Sequence, residues 1–320
     1  MGPRVAVLGA SGFGRFHAQW YRRLGCQVVA FLGSSPASVA RTAASLREGL
    51  GIEARGYCDL DELLSEARPE AVSVCTPPPL HAAHALKALE AGCSVLCEKP
   101  FVWQPGAESA GLLDQARRVV EMARRRGLVL TVNTQYAAAA ELYRGLVPAR
   151  TLEAPRRFQA EMTSLLKPGG PRGRDILVDL LPHPLSVLLA LLPDAELVEE
   201  SIEVGVGRKG SEVAFEIRRG GQRCAASIRV AKLPEGPFPR RFGLDGLAAE
   251  CVAEPDEHGV YHGHIRFQGR EVVCDDFMKT SIERFVRAVA GVGRPLVAPE
   301  AALKNLATML AILEVAGTGS

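Results

Sequence analysis

Across its 320 residues the chain holds no run of about 18 uncharged apolar residues, no Cys-x-x-Cys pair, no internal repeat and no low-complexity tract. The first absence argues against a membrane span. The second bears on the eight cysteines, at 26, 58, 75, 93, 97, 224, 251 and 274. Cys93 and Cys97 stand four apart on an expected strand, which is poor spacing for zinc ligands, so no metal site is expected. In a chain this large the cysteines read as reduced, mostly buried thiols, and the cytoplasm is the expected compartment. The apolar run Val5–Leu8 is too short for a signal-peptide core and passes at once into glycine-rich turn chemistry. Net charge is also scarce: 38 Lys+Arg against 36 Asp+Glu leaves +2. That balance supports neither a nucleic-acid nor a membrane-surface partner.

What is present is ordinary for a soluble globular protein: 47% hydrophobic and 23% charged residues. The length fits two domains. Over the first 130 residues short apolar runs alternate with helical patterns. Strands are expected at Val5–Leu8, Val28–Leu32, Ala71–Cys75, Ser94–Glu98 and Leu128–Asn133. Helices are expected at Phe13–Leu24, Ala37–Arg47, Leu60–Ala67, His81–Ala91 and Ala107–Arg126. Near-continuous apolar strands separated by amphipathic helices indicate a parallel sheet covered on both faces, a doubly wound Rossmann-type α/β domain.

Beyond residue 154 strand follows strand: Arg156–Thr163, Glu196–Gly205, Glu212–Arg218, Arg223–Val230, Arg240–Ala248, Gly259–Phe267 and Glu271–Asp275. This predicts an open antiparallel sheet with helices on one face. One helix, Pro182–Leu192, interrupts the series, and Thr280–Ala290 and Pro299–Glu314 close the chain. The expected fold class is therefore α/β followed by α+β. Residues 1–133 would bind a dinucleotide, and 134–320 would hold the substrate and form the oligomer. The last helix, 299–315, would pack back on the N-terminal domain. A sheet face left open invites a second subunit, so a homodimer or homotetramer through the C-terminal sheet is expected.

Gly9-Ala10-Ser11-Gly12-Phe13-Gly14 joins the first strand to the first helix. Small residues there permit a tight turn and let backbone N–H groups approach a pyrophosphate, which also meets the positive end of the helix. Gly9, Ser11, Gly12, Phe13 and Gly14 are the candidate pyrophosphate residues. The second strand ends Phe31-Leu32-Gly33-Ser34-Ser35, where an acidic residue would otherwise bind a ribose 2′-hydroxyl. With no carboxylate, a 2′-phosphate meets no repulsion. Ser34 and Ser35 can donate to it and Arg41 can reach it, so NADP(H) is preferred over NAD(H). Ser34-Ser35-Pro36 also suits a helix cap.

Three further motifs carry a family resemblance: Gly9-x-x-Gly12-x-Gly14-x-x-His17, Cys75-Thr76-Pro77-Pro78-x-x-His81 and Glu98-Lys99-Pro100. Together with the change to a second sheet, they resemble the Gfo/Idh/MocA oxidoreductases (glucose–fructose oxidoreductase, inositol dehydrogenase and relatives), over nearly the whole chain. The resemblance implies that Lys99 acts beside the nicotinamide. It also implies that Asp179 and His183, in Asp179-Leu180-Leu181-Pro182-His183, complete the catalytic set. Cys75, Thr76, Pro77, His81 and Glu98 join the cofactor-binding candidates, with Thr76 and Pro77 along the nicotinamide ribose and His81 framing the site.

The chemistry is arguable from the residues as well. Hydride transfer at a carbinol carbon needs a proton moved at its oxygen, a task for a histidine. An ammonium would polarise the carbonyl, and a carboxylate would orient the histidine or a substrate hydroxyl. Lysine occurs only seven times against 31 arginines, so a lysine at a strand's C-terminal end suits a titratable role. The expected function is an NADP(H)-dependent oxidoreductase acting on a small carbonyl or alcohol substrate, sugar- or cyclitol-like.

Some residues depart from the family pattern. Leu181 and Ser186 replace a frequent Gly and Asp, Gln135-Tyr136 stands where an Arg-Phe pair is common, and Pro182 and Pro184 flank His183. The prolines predict a helix start or kink at Leu181–Pro182. Leu165, Leu166, Leu180 and Leu181 suggest a pocket more apolar than that of a sugar dehydrogenase. An imine or enamine reductase and a non-catalytic dinucleotide sensor therefore stay open as alternatives. His258, His262 and His264 read as polar residues of a hairpin turn.

Overall fold

A computed structural model describes residues 2–257 and 260–318. Two compact units emerge: the chain up to Asn133 with Met278–Leu303, and Thr134–Phe277 with the chain from Lys304.

The first unit is a doubly wound domain. Its strands are β1 (Arg4–Leu8), β2 (Gln27–Leu32), β3 (Arg55–Tyr57), β4 (Ala71–Val74), β5 (Ser94–Glu98) and β6 (Leu130–Asn133). All pair in parallel in the order β3-β2-β1-β4-β5-β6. Strand order reverses beside β1, which opens a crevice at the carboxyl ends of β1 and β4. Helices α1 (Phe13–Arg23), α2 (Pro36–Leu50), α3 (Leu60–Ala67), α4 (His81–Glu90) and α5 (Ser109–Arg126) make the crossovers. The central strands are buried on both faces, as their apolar runs require: Val5, Ala6, Val7, Leu8, Val72, Val95 and Leu96 are inaccessible to water. Caps fix the helix ends. Asp59 accepts from the Glu62 N–H at the start of α3, and Gly51 and Gly127 take left-handed conformations after α2 and α5.

The second unit opens with α6 (Ala137–Arg144) and α7 (Ala149–Glu153), where sequence patterning gave no element. Its strands are β7 (Arg157–Leu165), β8 (Glu196–Val206), β9 (Gly210–Arg219), β10 (Gln222–Leu233), β11 (Arg240–Leu244), β12 (Leu247–Pro255), β13 (Tyr261–Phe267) and β14 (Arg270–Asp275). They form one sheet in the order β14-β13-β12-β11-β7-β10-β9-β8. Pairing is antiparallel except between β7 and β10, which run parallel. A parallel neighbour needs a long crossover, and the chain from α8 through β9 supplies it.

Arg240–Ala248 is not one strand. Asp245 and Gly246, at φ 50° and 83°, turn the chain between β11 and β12, as an Asp-Gly pair favours in a two-residue hairpin. The predicted helix at Pro182 is preceded by another: α8 (Arg174–Leu180) leads into α9 (Pro182–Leu191). The break falls at Leu181, as the prolines require, but it is slight. Leu181 keeps right-handed helical angles (φ −58°, ψ −34°), and Leu181 N–H and Leu185 N–H still donate to Leu177 and Leu181 carbonyls.

The chain closes with α10 (Phe277–Val289) and α11 (Pro299–Thr318). Thr131 donates to the Val297 carbonyl inside the first unit. The first turn of the final helix, Pro299–Leu303, counts with the first unit, and the helix from Lys304 on counts with the second. There the Asn305 amide donates to the Pro182 carbonyl at 2.8 Å, and Arg174 donates to the Leu313 carbonyl.

Candidate active site

In the first unit, the turn after β1 shows why glycine occupies two of its positions. Gly9 has φ 86°, and a Cβ there would lie 2.7 Å from the Cys75 carbonyl oxygen. A Cβ on Gly14, the second helical residue, would run into the Gly9 carbonyl. Gly12 faces open space. Ser11, Gly12 and Phe13 are exposed, α1 has no side-chain cap, and its first turn holds no acid. The free helix N–H groups and open loop therefore fit an incoming pyrophosphate.

At the end of β2, Ser34 and Arg41 are exposed. The Ser35 hydroxyl caps α2 by accepting from the Ser38 N–H at 3.2 Å, and no carboxylate stands in the run Leu32–Ser35. After β4, Thr76 hydrogen-bonds His84 at 3.1 Å. His81 is a brace: Nδ1 lies 2.8 Å from the Pro100 carbonyl and Nε2 2.8 Å from the Thr76 carbonyl. Burial holds its pKa below the usual value, against the pull of those two acceptors. The Cys75 thiol is raised well above its ordinary value by burial and then by Glu98, which leaves it inert.

β5 ends on the Glu98-Lys99-Pro100 motif, with a cis Lys99–Pro100 bond. Beneath Glu98 lies a polar network that motif reading missed. His17 Nε2 is 2.9 Å from Glu98 Oε1, and the Asn133 amide donates to the same oxygen at 2.6 Å. The Lys99 N–H donates to Oε2 at 3.3 Å. On the far side of the ring, His17 Nδ1 meets Ser73 Oγ at 3.1 Å, and Ser73 meets Tyr21 OH at 2.7 Å. Burial alone would raise the Glu98 pKa. The His17 bond and charge and the Asn133 amide outweigh it and bring the carboxyl down to about 2. Glu98 is thus a fixed anion at the root of Lys99, whose own side chain is half-buried. His17 stood in the quoted motif, but its Glu98 partner lies 81 residues away in sequence.

In the second unit, Asp179 is the penultimate residue of α8 and His183 follows the Pro182 that starts α9. The nearly continuous helix sets them one turn apart. The His183 ring meets the Tyr136 ring edge-on at 5.2 Å, and Arg240 lies 5.8 Å over that Tyr136 ring. Burial raises the Tyr136 hydroxyl to about 12, with Arg240 opposing. Asp179 Oδ2 pairs with Lys232 Nζ on β10 at 2.6 Å, a partner the motif does not contain. Ser186, where the family often has Asp, donates to the His183 carbonyl at 2.6 Å.

The four leucines do not build one apolar pocket. Leu180 and Leu181 are buried in the core, because they occupy the inward positions of the helical run, while Leu165 is exposed. Of the hairpin histidines, His258 lies outside the described residues, His262 is 3.1 Å from Asp256, and His264 is 3.3 Å from Glu271. Among the described residues no group of three or more His, Cys, Asp or Glu could hold a metal, and no helix is long and apolar enough to cross a membrane.

A doubly wound domain with an uncapped glycine loop, followed by a large, mostly antiparallel sheet, defines a two-domain protein with a dinucleotide-type crevice. Residues 3–134 match the GFO_IDH_MocA model, an oxidoreductase family with an NAD-binding Rossmann fold. The N-terminal domain thus carries the NAD-binding Rossmann fold of the Gfo/Idh/MocA oxidoreductases, and the similar proteins that span most of the chain are named as dehydrogenases and reductases. The chain is 29% identical over 301 residues to the UDP-N-acetylglucosamine 3-dehydrogenase of Acidithiobacillus ferrooxidans, covering 90% of this chain and 88% of that one. A solved structure of that enzyme superposes with a TM-score of 0.76 at 26% identity, covering 98% of each chain. The 1,5-anhydro-D-fructose reductase of Ensifer adhaerens is 27% identical over 356 residues, covering 99% of this chain and 97% of that one.

Proposed function

We propose that this protein transfers hydride between NADP(H) and a secondary carbinol or ketone on a sugar-like substrate. The observation that carries the reading is Lys99: a half-buried ammonium at a strand's carboxyl end, rooted on a carboxylate that His17 and Asn133 hold ionised. An ammonium placed there suits polarisation of a substrate oxygen and stabilisation of a developing alkoxide. The relatives named for a sugar 3-dehydrogenase and an anhydrosugar reductase support the sugar-like class.

The nicotinamide supplies or accepts the hydride when bound. Ser11, Gly12, Phe13 and Gly14 hold the pyrophosphate through backbone N–H groups, with Gly9 making the turn. Ser34, Ser35 and Arg41 take the 2′-phosphate, which favours NADP(H). Cys75, Thr76, Pro77 and His81 frame the nicotinamide ribose. Glu98 positions Lys99, since its oxygens are engaged within the protein. His183 moves the proton and Asp179 orients the histidine or a substrate hydroxyl.

We assign the protein to the cytoplasm, as a homodimer or homotetramer joined through the second sheet. That sheet's helix-free face carries interleaved charges, such as Arg229 beside Glu161 and Glu212 and Arg266 between Glu254 and Glu271, and such a face can complement a copy of itself.

The test follows NADPH absorbance with 1,5-anhydro-D-fructose, and NADP+ with UDP-N-acetylglucosamine and with simple cyclitols. Turnover that Lys99→Ala abolishes supports the reading. Dinucleotide binding without consumption on a broad carbonyl panel would make the protein a sensor instead.

A further inference from the structure

On β10, burial alternates from Arg223 to Val230, and Ala231 beside it is buried as well. Arg223, Ala225, Ser227 and Arg229 are exposed, while Cys224, Ala226, Ile228 and Val230 are buried on the face that α8 packs against. The strand keeps its register with β7 through the Lys232–Ser164 pair, with no bulge. Lys232 therefore continues the inward row. A leucine or valine there would extend the apolar stripe without electrostatic cost, whereas an ammonium must be paired to sit on that face. Its partner is Asp179 at 2.6 Å, and both side chains are withdrawn from water, 13% and 32% exposed.

A pair in this setting is weak evidence for stability, because desolvation offsets most of the Coulombic gain. Its location explains it better. The carboxylate belongs to the residue assigned above to orient His183, one helical turn on.

We infer that Lys232 is a positioning residue for the reaction. It acts through Asp179 by pinning Oδ2, which sets the direction of the remaining oxygen and hence of the proton-moving side. Lys232 does not touch the substrate. The inference rests on the proposed role of Asp179 and adds to it a residue outside the family motif.

The test compares Lys232→Met, Lys232→Arg, Asp179→Asn and the Met/Asn double variant. Steady-state kinetics use NADP+ with UDP-N-acetylglucosamine and NADPH with 1,5-anhydro-D-fructose, and thermal unfolding is followed on the same four proteins. Lys232→Met should lower kcat by about 10- to 100-fold with KM changed less than about threefold. Lys232→Arg should recover to within about fivefold of the native rate. The double variant should be no slower than Asp179→Asn alone, within about twofold, since both single changes break one unit. In unfolding, which needs no substrate, its midpoint should fall by less than the sum of the two single losses. NADPH affinity should stay native throughout.

A raised KM with unchanged kcat would make Lys232 a substrate ligand and overturn the inference. Multiplicative kinetic losses or additive unfolding losses would overturn it too. If Asp179→Asn itself keeps native rates, the proposed catalytic set fails. If only the Lys232 variants do, that set stands and this inference falls.

Discussion

The two units place polar groups by opposite means. In the first, Ser11, Ser34, Thr76 and Glu98 each follow or end a strand of one parallel sheet, so topology alone gathers them at its carboxyl edge. In the second, Tyr136, Asp179, His183, Lys232 and Arg240 come from a helix cap, two helices and two strands spread over about a hundred residues. A parallel sheet makes a site from short local motifs. A mostly antiparallel sheet under helices makes one from long-range packing, and its members are visible only after folding.

The largest effect that sharpens this contrast is expected at Lys99. Lys99→Ala should slow hydride transfer by about 10³-fold, measured by single-turnover NADPH absorbance, while the dinucleotide Kd stays within about threefold. Equal loss of both would show that the first unit's motifs do not separate binding from chemistry.

Next comes the buried anion beneath it. His17→Ala leaves Glu98 short of its main partner and should cost on the order of 3 kcal/mol in denaturant unfolding. The pH dependence carries the same signature. Glu98 titrates near 2 in the folded protein against an ordinary 4.5. A depressed folded pKa gives stability that is complete above about pH 5 and drains away as pH falls from 4.5 through 2. Glu98→Gln should flatten the unfolding free energy over that window. An unchanged slope would show that the network does not hold the carboxylate.

A smaller effect is expected at the end of β2. Ser34→Asp places a carboxylate where a 2′-phosphate would lie. It should weaken NADPH binding by about 10- to 100-fold and leave NADH within about threefold. Equal effects on both nucleotides would remove the basis for NADP(H) preference. The smallest belongs to the second unit. Asn305→Ala frees the Pro182 carbonyl and should cost about 1 kcal/mol of stability, read as a lowered Tm. A loss of activity well beyond that would mean that α11 sets the His183 geometry and that the second unit's dispersed residues are more tightly coupled than their packing indicates.

How much was legible follows from the same contrast. Burial on both faces wrote the first unit's central strands as apolar runs, so β1, β2, β4 and β5 were plain, and the glycine loop declared itself by position. Three-residue β3 was too short to carry a pattern. In the second unit the apolar residues on both sides of Asp245-Gly246 give Arg240–Ala248 the pattern of one strand, which hides the two-residue turn between β11 and β12. α8 went unseen because Ile176, Leu177 and Val178 are consecutive and buried, and such a cluster has no helical period. Lys232 was legible in principle, as a charge on the inward parity of β10, but only once the strand's end and its burial were known. Leu180 and Leu181 misled because proximity in sequence to Asp179 says nothing about which side of a helix they occupy.

The central claim is that the first unit holds a nicotinamide dinucleotide, and titration calorimetry of the full chain with NADPH and with NADH tests it most directly. One site per chain, with NADPH the tighter ligand, is the predicted result. Absence of uptake for both nucleotides would contradict it.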